Sequence, residues 1–270
     1  MILKAVSSLL LAPKRIVSLV PSQTELLYSL GLEQETVGIT KFCIHPSNWF
    51  QNKVKVGGTK KIDIEKVKNL QPDLIIANKE ENVKEQVESL AACFPVWVTD
   101  VNNLQDALQM ISDVGILTQR EQVAKNLIQQ IKNGFTMMRY HRLQSLAPVA
   151  SSALLTACYL IWKDPYMTIG SDTFINDMML QAGFKNVFAD KKRYPEVNIS
   201  DIRNTNCELL LLSSEPYPFK QKHLHELQKL LPDVKIVLAD GEMFSWYGSR
   251  LLKAPDYFNK LYTSINSGTH

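Results

Sequence analysis

The chain has 270 residues, of which 45% are apolar and 21% charged, and its formal net charge is +3. A chain of this length buries a substantial core without disulfides or metal, and so slight a positive excess argues against a nucleic-acid binder held mainly by phosphate contacts. Eleven glycines and twelve prolines exclude collagen-like and low-complexity classes, and no apolar run reaches the ~18 residues of a membrane helix.

Met1–Pro13 carries Lys4 and a short apolar stretch. It is marginal as a charged start, as an apolar region and as a cleavage site, and is read as a weak or absent export leader. Arg15–Val20 is a β-rich run. Ser22 and Glu25 have capping-box spacing, opening a helix that carries Leu26, Leu27 and Leu30 and stops at Gly31. A strand over Thr36–Ile39 follows. Asp63 caps a helix bearing Ile64, Val67 and Leu70, and Pro72-Asp73 turns into the strand Leu74–Ala77. Asn82 caps a further helix through Val87 and Leu90, leading to a strand at Val96–Val98 and a helix through Leu104, Leu108 and Ile111 that ends near Gly115. Continuous rather than alternating apolar strands indicate a parallel sheet covered on both faces.

Thr118 and Glu121 again have capping-box spacing. Val123, Leu127, Ile131, Phe135 and Met138 then recur at helical intervals. A helix over 118–142 would be about 37 Å long at 1.5 Å per residue; the alternative is two ordinary helices broken at Gly134. Leu146–Ser152 reads as a joint. Beyond it the pattern restarts with a strand over Leu154–Trp162, a helix from Phe174 to Gly183, a strand at Val187-Phe188 and a short helix capped by Ser200. The strand Leu209–Leu212, a helix over His223–Leu231, the strand Lys235–Ala239 and a last helix from Ser249 towards Ser264 complete it. The fold expected is α/β: two Rossmann-like lobes, 14–117 and 148–266, joined by one long backbone helix, 118–143. In such sheets ligands sit beyond the carboxyl ends of the strands, so a ligand cleft between the lobes is expected, lined by the loops that follow the strands.

The sequence lacks the dinucleotide, P-loop, nucleophile-elbow and zincin motifs. His223 and His225 are two apart on one helix, cannot readily chelate, and are read as solvated. Cys43, Cys93, Cys158 and Cys207 show no metal or redox spacing, and most are read as small buried hydrophobes. Three loops after strands remain. His45 lies in Lys41–Pro46, either facing a metal-bearing ligand or held by backbone beside Pro46. Asn78-Lys79-Glu80 is a polar loop suited to a ligand head group, or a solvated turn. Asp240–Ser249 brings Phe244, Trp246 and Tyr247 together in a loop, where aromatics favour a planar ligand. Tyr166 and Tyr194 are similar candidates. Lys191-Lys192-Arg193 is a short basic run, either a solvated loop or a contact for an acidic group on a ligand.

Arg15-Ile-Val-Ser-Leu-Val-Pro-Ser-Gln-Thr-Glu-Leu26, Val56-Gly-Gly-Thr59, Ile64-Glu65, Leu70-Gln-Pro-Asp-Leu-Ile-Ile-Ala77 and Tyr166-Met-Thr-Ile-Gly-Ser-Asp-Thr-Phe174, with the long linking helix, give the chain a family likeness. It resembles the substrate-binding proteins of ABC importers for cobalamin, haem and ferric siderophores, the helical-backbone metal receptors, and most nearly their cobalamin-binding branch. The resemblance runs from about Arg15 to Leu261.

It implies a rigid two-lobed receptor, not an enzyme, that delivers a corrinoid or a ferric chelate to an ABC permease. It also implies no intrinsic cofactor, no nucleic-acid partner, a monomer and a periplasmic location. The contacts expected are Thr24, His45, Thr59, Asn78, Lys79 and Glu80 on the first lobe, and Tyr166, Tyr194, Glu215, Phe244, Trp246 and Tyr247 on the second. The aromatics would stack and the polar groups would orient the ligand, with His45 a possible axial ligand. Thr59 and Asn78 stand where vitamin B12-binding members place tryptophans. Glu65 fits the first permease-docking carboxylate; at the second position stands Ser200, with Asp201 beside it. Two alternatives stay open: a cytosolic binding or sensing protein without a permease, and, by analogy of fold alone, a metal-cluster enzyme.

Overall fold

The structure, a computed structural model, describes residues 1–6, 9, 11–145 and 154–267. Leu146–Ser152, read above as a joint, lies outside them. The fully apolar runs become the central strands of two parallel sheets. In the first, β1 (Ile16–Ser18), β2 (Thr36–Ile39), β3 (Val54–Lys55), β4 (Leu74–Asn78) and β5 (Val96–Thr99) lie in the order β3-β2-β1-β4-β5. In the second, β6 (Leu155–Leu160), β7 (Phe184–Asn186), β8 (Leu209–Ser213) and β9 (Lys235–Ala239) lie in the order β7-β6-β8-β9. Every strand pairing within both sheets is parallel. All five residues of β4 and all five of β8 are buried, as strands covered on both faces require.

The chain divides into two compact units: Met1–Val101 with Gln105–Ile131 and Tyr247–Arg250, and Asn102–Leu104 with Lys132–Trp246 and Leu251–His270. The division differs from the expected one in three respects, the first being that Asn102–Leu104, expected in the first lobe, falls in the second unit. The long helix belongs half to each unit, changing over at Ile131-Lys132, and the segment Tyr247–Arg250 joins the first unit rather than the second. The first core packs Val17, Leu19, Ile75, Ala77 and Val96 with Val67, Val87 and Leu90. The second packs Cys158, Leu160, Leu210, Leu212 and Ile236 with Ile202, Phe219, Leu227 and Leu231.

The first unit carries α1 (Pro21–Ser29), α2 (Ser47–Asn52), α3 (Ile64–Asn69), α4 (Lys84–Ala91) and α5 (Leu104–Leu117), the last beginning at its boundary. The helix α6 (Glu121–Ser145) is continuous for 25 residues. Gly134 does not break it; a methyl group there would lie 3.2 Å from the ring of Pro255, so the glycine permits close packing. The second unit adds α7 (Phe174–Ala182), α8 (Ile199–Arg203), α9 (Gln221–Leu230), α10 (Gly241–Ser245) and α11 (Ala254–Ser267).

Several expected caps are corrected. α1 begins at Pro21, whose fixed φ and missing N–H suit the first helical position. Ser22 therefore lies inside the helix, and no side chain caps it. Asn82 does not cap α4, which starts from Val83; its carboxamide accepts from the backbone N–H of Asn78 at 2.9 Å and donates to the carbonyls of Leu19 and Thr59. The Thr118 hydroxyl closes α5 on the carbonyl of Val114, and Gln119 takes φ of +55° before α6. Asn198, not Ser200, caps α8, in a reciprocal box with Asp201. Strand β7 precedes the expected Val187-Phe188 and pairs with β6 through Phe184, Lys185 and Asn186. The last expected helix is a 3-10 turn, Ser249–Leu252, followed by α11. Asp63 caps α3, its carboxylate accepting from the N–H of Lys66 at 3.1 Å, and Gly183 ends α7 at φ of +91°.

Candidate functional site

In each sheet the strand order reverses beside the first strand, between β1 and β4 and between β6 and β8. Parallel α/β sheets bind ligands at such points, beyond the carboxyl ends of the strands. The ends of those four strands and the segments that follow them carry half of the expected contact residues, and the segments after β2, β3, β7 and β9 carry the rest.

In the first unit, Thr24 is fully buried. Its hydroxyl lies 2.8 Å from Ser18 Oγ, 3.0 Å from the Val20 carbonyl and 3.0 Å from Cys43 Sγ, so it fastens α1 to the end of β1. Burial raises the Cys43 thiol above its ordinary range. Asn78 is also buried and shapes its own loop. Its Oδ1 accepts from the N–H groups of Glu80 and Glu81 at 2.8 and 3.0 Å, and its Nδ2 donates to the carbonyl and hydroxyl of Thr99, each at 3.1 Å. Gln23 Nε2 donates to the same Thr99 hydroxyl at 2.6 Å. These polar groups are committed to folding the loop ends, which orders the side chains beside them.

Those side chains are partly open. Lys79 meets Asp100 at 2.6 Å on the surface, and Glu80, Thr59 and His45 are half-buried. Lys60 Nζ donates to the backbone carbonyl of Glu80, tying the loop after β3 to the loop after β4. Phe42 and Ile44, which sequence reasoning did not single out, are 51% and 44% exposed in the loop after β2. Two apolar side chains in a short loop after a strand were the available signal. Tyr247 is buried, and burial lifts its phenol well above the ordinary range. It begins the segment that lies on α1, where Gly248, at φ of +114°, passes 3.2 Å from the Ser22 carbonyl by the position a methyl group would take.

In the second unit, Trp162 follows β6 and is 40% exposed. It meets Tyr217 edge to face at 5.7 Å; neither was expected as a contact residue from the sequence. Tyr217 also packs on Phe219 at 4.8 Å. His223 is buried rather than solvated: its Nδ1 accepts from the N–H of Lys220 at 2.9 Å, and its Nε2 lies 3.4 Å from the Tyr217 hydroxyl. Tyr166 and Tyr194 are half-buried. Partial burial raises the Tyr166 phenol, against the opposing pull of Lys163.

Phe244 is corrected from a loop contact to a core residue. It has no exposed surface and packs against Tyr159 at 5.1 Å, Phe258 at 4.8 Å and Tyr257 at 6.2 Å. The expected loop coils into α10, which turns Phe244 inward. Trp246 is buried too, and its indole N–H donates to Glu215 Oε1 at 2.9 Å. Burial, first, and then the charge of Glu242 hold the Glu215 carboxyl above the ordinary glutamate range.

The two expected docking carboxylates occupy corresponding places. Glu65 lies in the first turn of α3, the helix before β4, and Asp201 in the first turn of α8, the helix before β8. Glu65 is 76% exposed and pairs with Lys68 at 2.9 Å. Asp201 accepts from the backbone N–H of Asn198 at 2.8 Å, completing the cap of its helix. Among the described residues no group of three or more His, Cys, Asp or Glu is gathered to hold a metal, and no helix is long and apolar enough to cross a membrane.

Two parallel α/β units joined by a continuous helix are the fold of helical-backbone binding proteins. The periplasmic haem-binding protein RhuT of Roseiflexus sp. RS-1 shares it with a TM-score of 0.79 at 19% identity, over 95% of this chain and 99% of that one. The periplasmic binding protein family matches residues 16–231, and the chain belongs to that family. It is a binding protein, not an enzyme. An uncharacterized ABC transporter substrate-binding lipoprotein, YvrC, of Bacillus subtilis is 28% identical over 206 residues, 74% of this chain and 63% of that protein. The vitamin B12-binding protein of Pectobacterium carotovorum is 22% identical over 263 residues, 95% of this chain and 91% of that protein.

Proposed function

We propose that the protein is the substrate-binding protein of an ABC importer and that its cargo is a bulky metal chelate: a corrinoid, a haem or a ferric siderophore. The observation that carries the reading is the exposure of an aromatic ring at the strand ends of each unit, Phe42 at 51% and Trp162 at 40%. A planar or macrocyclic ligand is bound largely by such surfaces. His45, Thr59, Lys79 and Glu80 would meet its polar edges from the first unit, and Tyr166 and Tyr194 from the second, with His45 able to offer an imidazole to an open metal position. The names of the relatives support this range of cargo. Stacking surfaces with few charged contacts favour the corrinoid within it.

Receipt of the cargo by a permease would use Glu65 and Asp201 as the acidic contacts, in the periplasm and from a monomer. Of the two carboxylates, Glu65 is the better exposed and would contribute more. The test is a titration of tryptophan emission with cyanocobalamin, haemin and a ferric tricatecholate. Saturable quenching by one of them at micromolar concentration or below is expected. No response to any of the three would remove the proposal.

A further inference from the structure

Glu215 sits in the loop after β8 as a half-buried carboxylate with two side-chain donors on one oxygen. Trp246 Nε1 donates to its Oε1 at 2.9 Å, and the Ser245 hydroxyl donates to the same oxygen at 2.5 Å. The Ser245 hydroxyl also lies 2.9 Å from the carbonyl of Gly241. The backbone of Glu215 is held in turn: the Ser213 hydroxyl donates to its carbonyl at 2.5 Å and itself accepts from Tyr159 Oη at 3.0 Å. Gly241 N donates to Ser214 Oγ at 2.9 Å. The ends of β6, β8 and β9 are thus tied through one chain of hydrogen bonds that ends on Trp246.

Gly241 leaves the space this needs. A methyl group there would lie 2.5 Å from Glu215 Cγ and 2.6 Å from Ser213 Oγ. A charged acceptor makes roughly twice as strong a hydrogen bond as a neutral one, and two donors converging on one oxygen fix both donors relative to β8.

We propose that Glu215 is a positioning residue: it does not touch the cargo but clamps Ser245 and Trp246, so that the segment after β9 keeps the one conformation from which the second unit binds. This rests on the proposed function together with the sequence expectation that the loops after β8 and β9 line the cargo site. Sites that bind rigid ligands need their supporting residues locked in this way.

The test compares Glu215→Ala, Glu215→Gln and Ser245→Ala in the full chain. Two readouts are taken: the Trp246 indole N–H resonance, assigned with Trp246→Phe, and the affinity for whichever of cyanocobalamin, haemin or ferric tricatecholate the wild type binds. Glu215→Ala is expected to shift the indole resonance and weaken binding at least tenfold. Glu215→Gln keeps an acceptor at Oε1 and is expected to preserve both within about threefold. Ser245→Ala should move both in the direction of Glu215→Ala by a smaller amount. An unmoved indole resonance in Glu215→Ala overturns the clamp. So does Glu215→Gln losing as much affinity as Glu215→Ala with its indole resonance in place, since the charge itself would then contact the ligand. If the wild type binds none of the three chelates, the proposed function fails, and the indole resonance alone decides the clamp.

Discussion

Glu25 and Arg250 lie 225 positions apart in the chain, yet Arg250 Nε donates to Glu25 Oε2 at 2.9 Å. Their side chains are 13% and 6% exposed. The pair fastens the segment Tyr247–Arg250 to α1 within the first unit. Glu25 thus serves tertiary structure rather than the helix cap that its spacing from Ser22 suggested.

Removing one member of a buried ion pair leaves the other charge without compensation, at a cost of about 3–5 kcal/mol. Glu25→Gln is therefore expected to be strongly destabilised in urea unfolding. Replacing Glu25 and Arg250 together by apolar residues of similar volume should recover most of the loss. Equal destabilisation by the single and double variants would contradict the pairing.

Phe244 and Trp162 should behave oppositely. Phe244 is in the core, and Phe244→Ala should cost about 3–5 kcal/mol. Trp162 is 40% exposed and keeps a ring contact with Tyr217, so Trp162→Ala should cost only about 0.5–1.5 kcal/mol. On the proposed function, the loss of its ring weakens chelate binding by a few-fold to about tenfold, the range of one stacking contact. Thermal unfolding and ligand titration on both variants check this.

Gly241→Ala tests the crowding beside Glu215. Overpacking of this kind costs about 1–3 kcal/mol, and the variant should also shift the Trp246 indole resonance, because the methyl group displaces Glu215. A variant of wild-type stability with an unmoved resonance would mean that the loop after β8 has room that the contacts deny.

The Glu215 carboxyl is held above its ordinary range by burial first, with Glu242 and Asp240 adding to the effect and Ser245 and Trp246 opposing it. The folded state therefore keeps this proton to higher pH than the unfolded state does. The stability it contributes is fully present below the ordinary glutamate range and is lost as pH rises through the folded value. The stability of Glu215→Gln relative to wild type should accordingly improve as pH rises from mildly acidic to neutral, measured as the difference in urea midpoint. A difference that stays flat or falls would contradict the raised carboxyl.

The strands were the most legible part of the sequence. Leu74–Ala77, Leu209–Leu212 and Lys235–Ala239 are short apolar runs between turn residues, and they form β4, β8 and β9 nearly as read. The long helix was legible because helical spacing persists across Gly134 with no proline. Local capping signals were less dependable. Pro21 outranks Ser22 because it fits the first helical turn, and Asn82 is drawn away by tertiary partners on Leu19 and Thr59. The two-residue strand β3 and the short α2 gave no periodic signal.

Aromatic roles were the hardest to read. Phe244 and Trp246 share one short stretch, but the turn of α10 sends Phe244 into the core and Trp246 onto Glu215. Trp162 closes the expected strand Leu154–Trp162 and gave no sign that it would stand 40% exposed. Burial of this kind depends on which strand ends are neighbours, and that is a property of the sheet order.

The most direct measurement is native mass spectrometry of the protein purified without denaturant after exposure to cyanocobalamin, haemin or a ferric tricatecholate. The account predicts a one-to-one complex with the intact mass of one chelate, retained through gel filtration. Protein that stays free of all three at micromolar concentrations, while folded by circular dichroism, would contradict it.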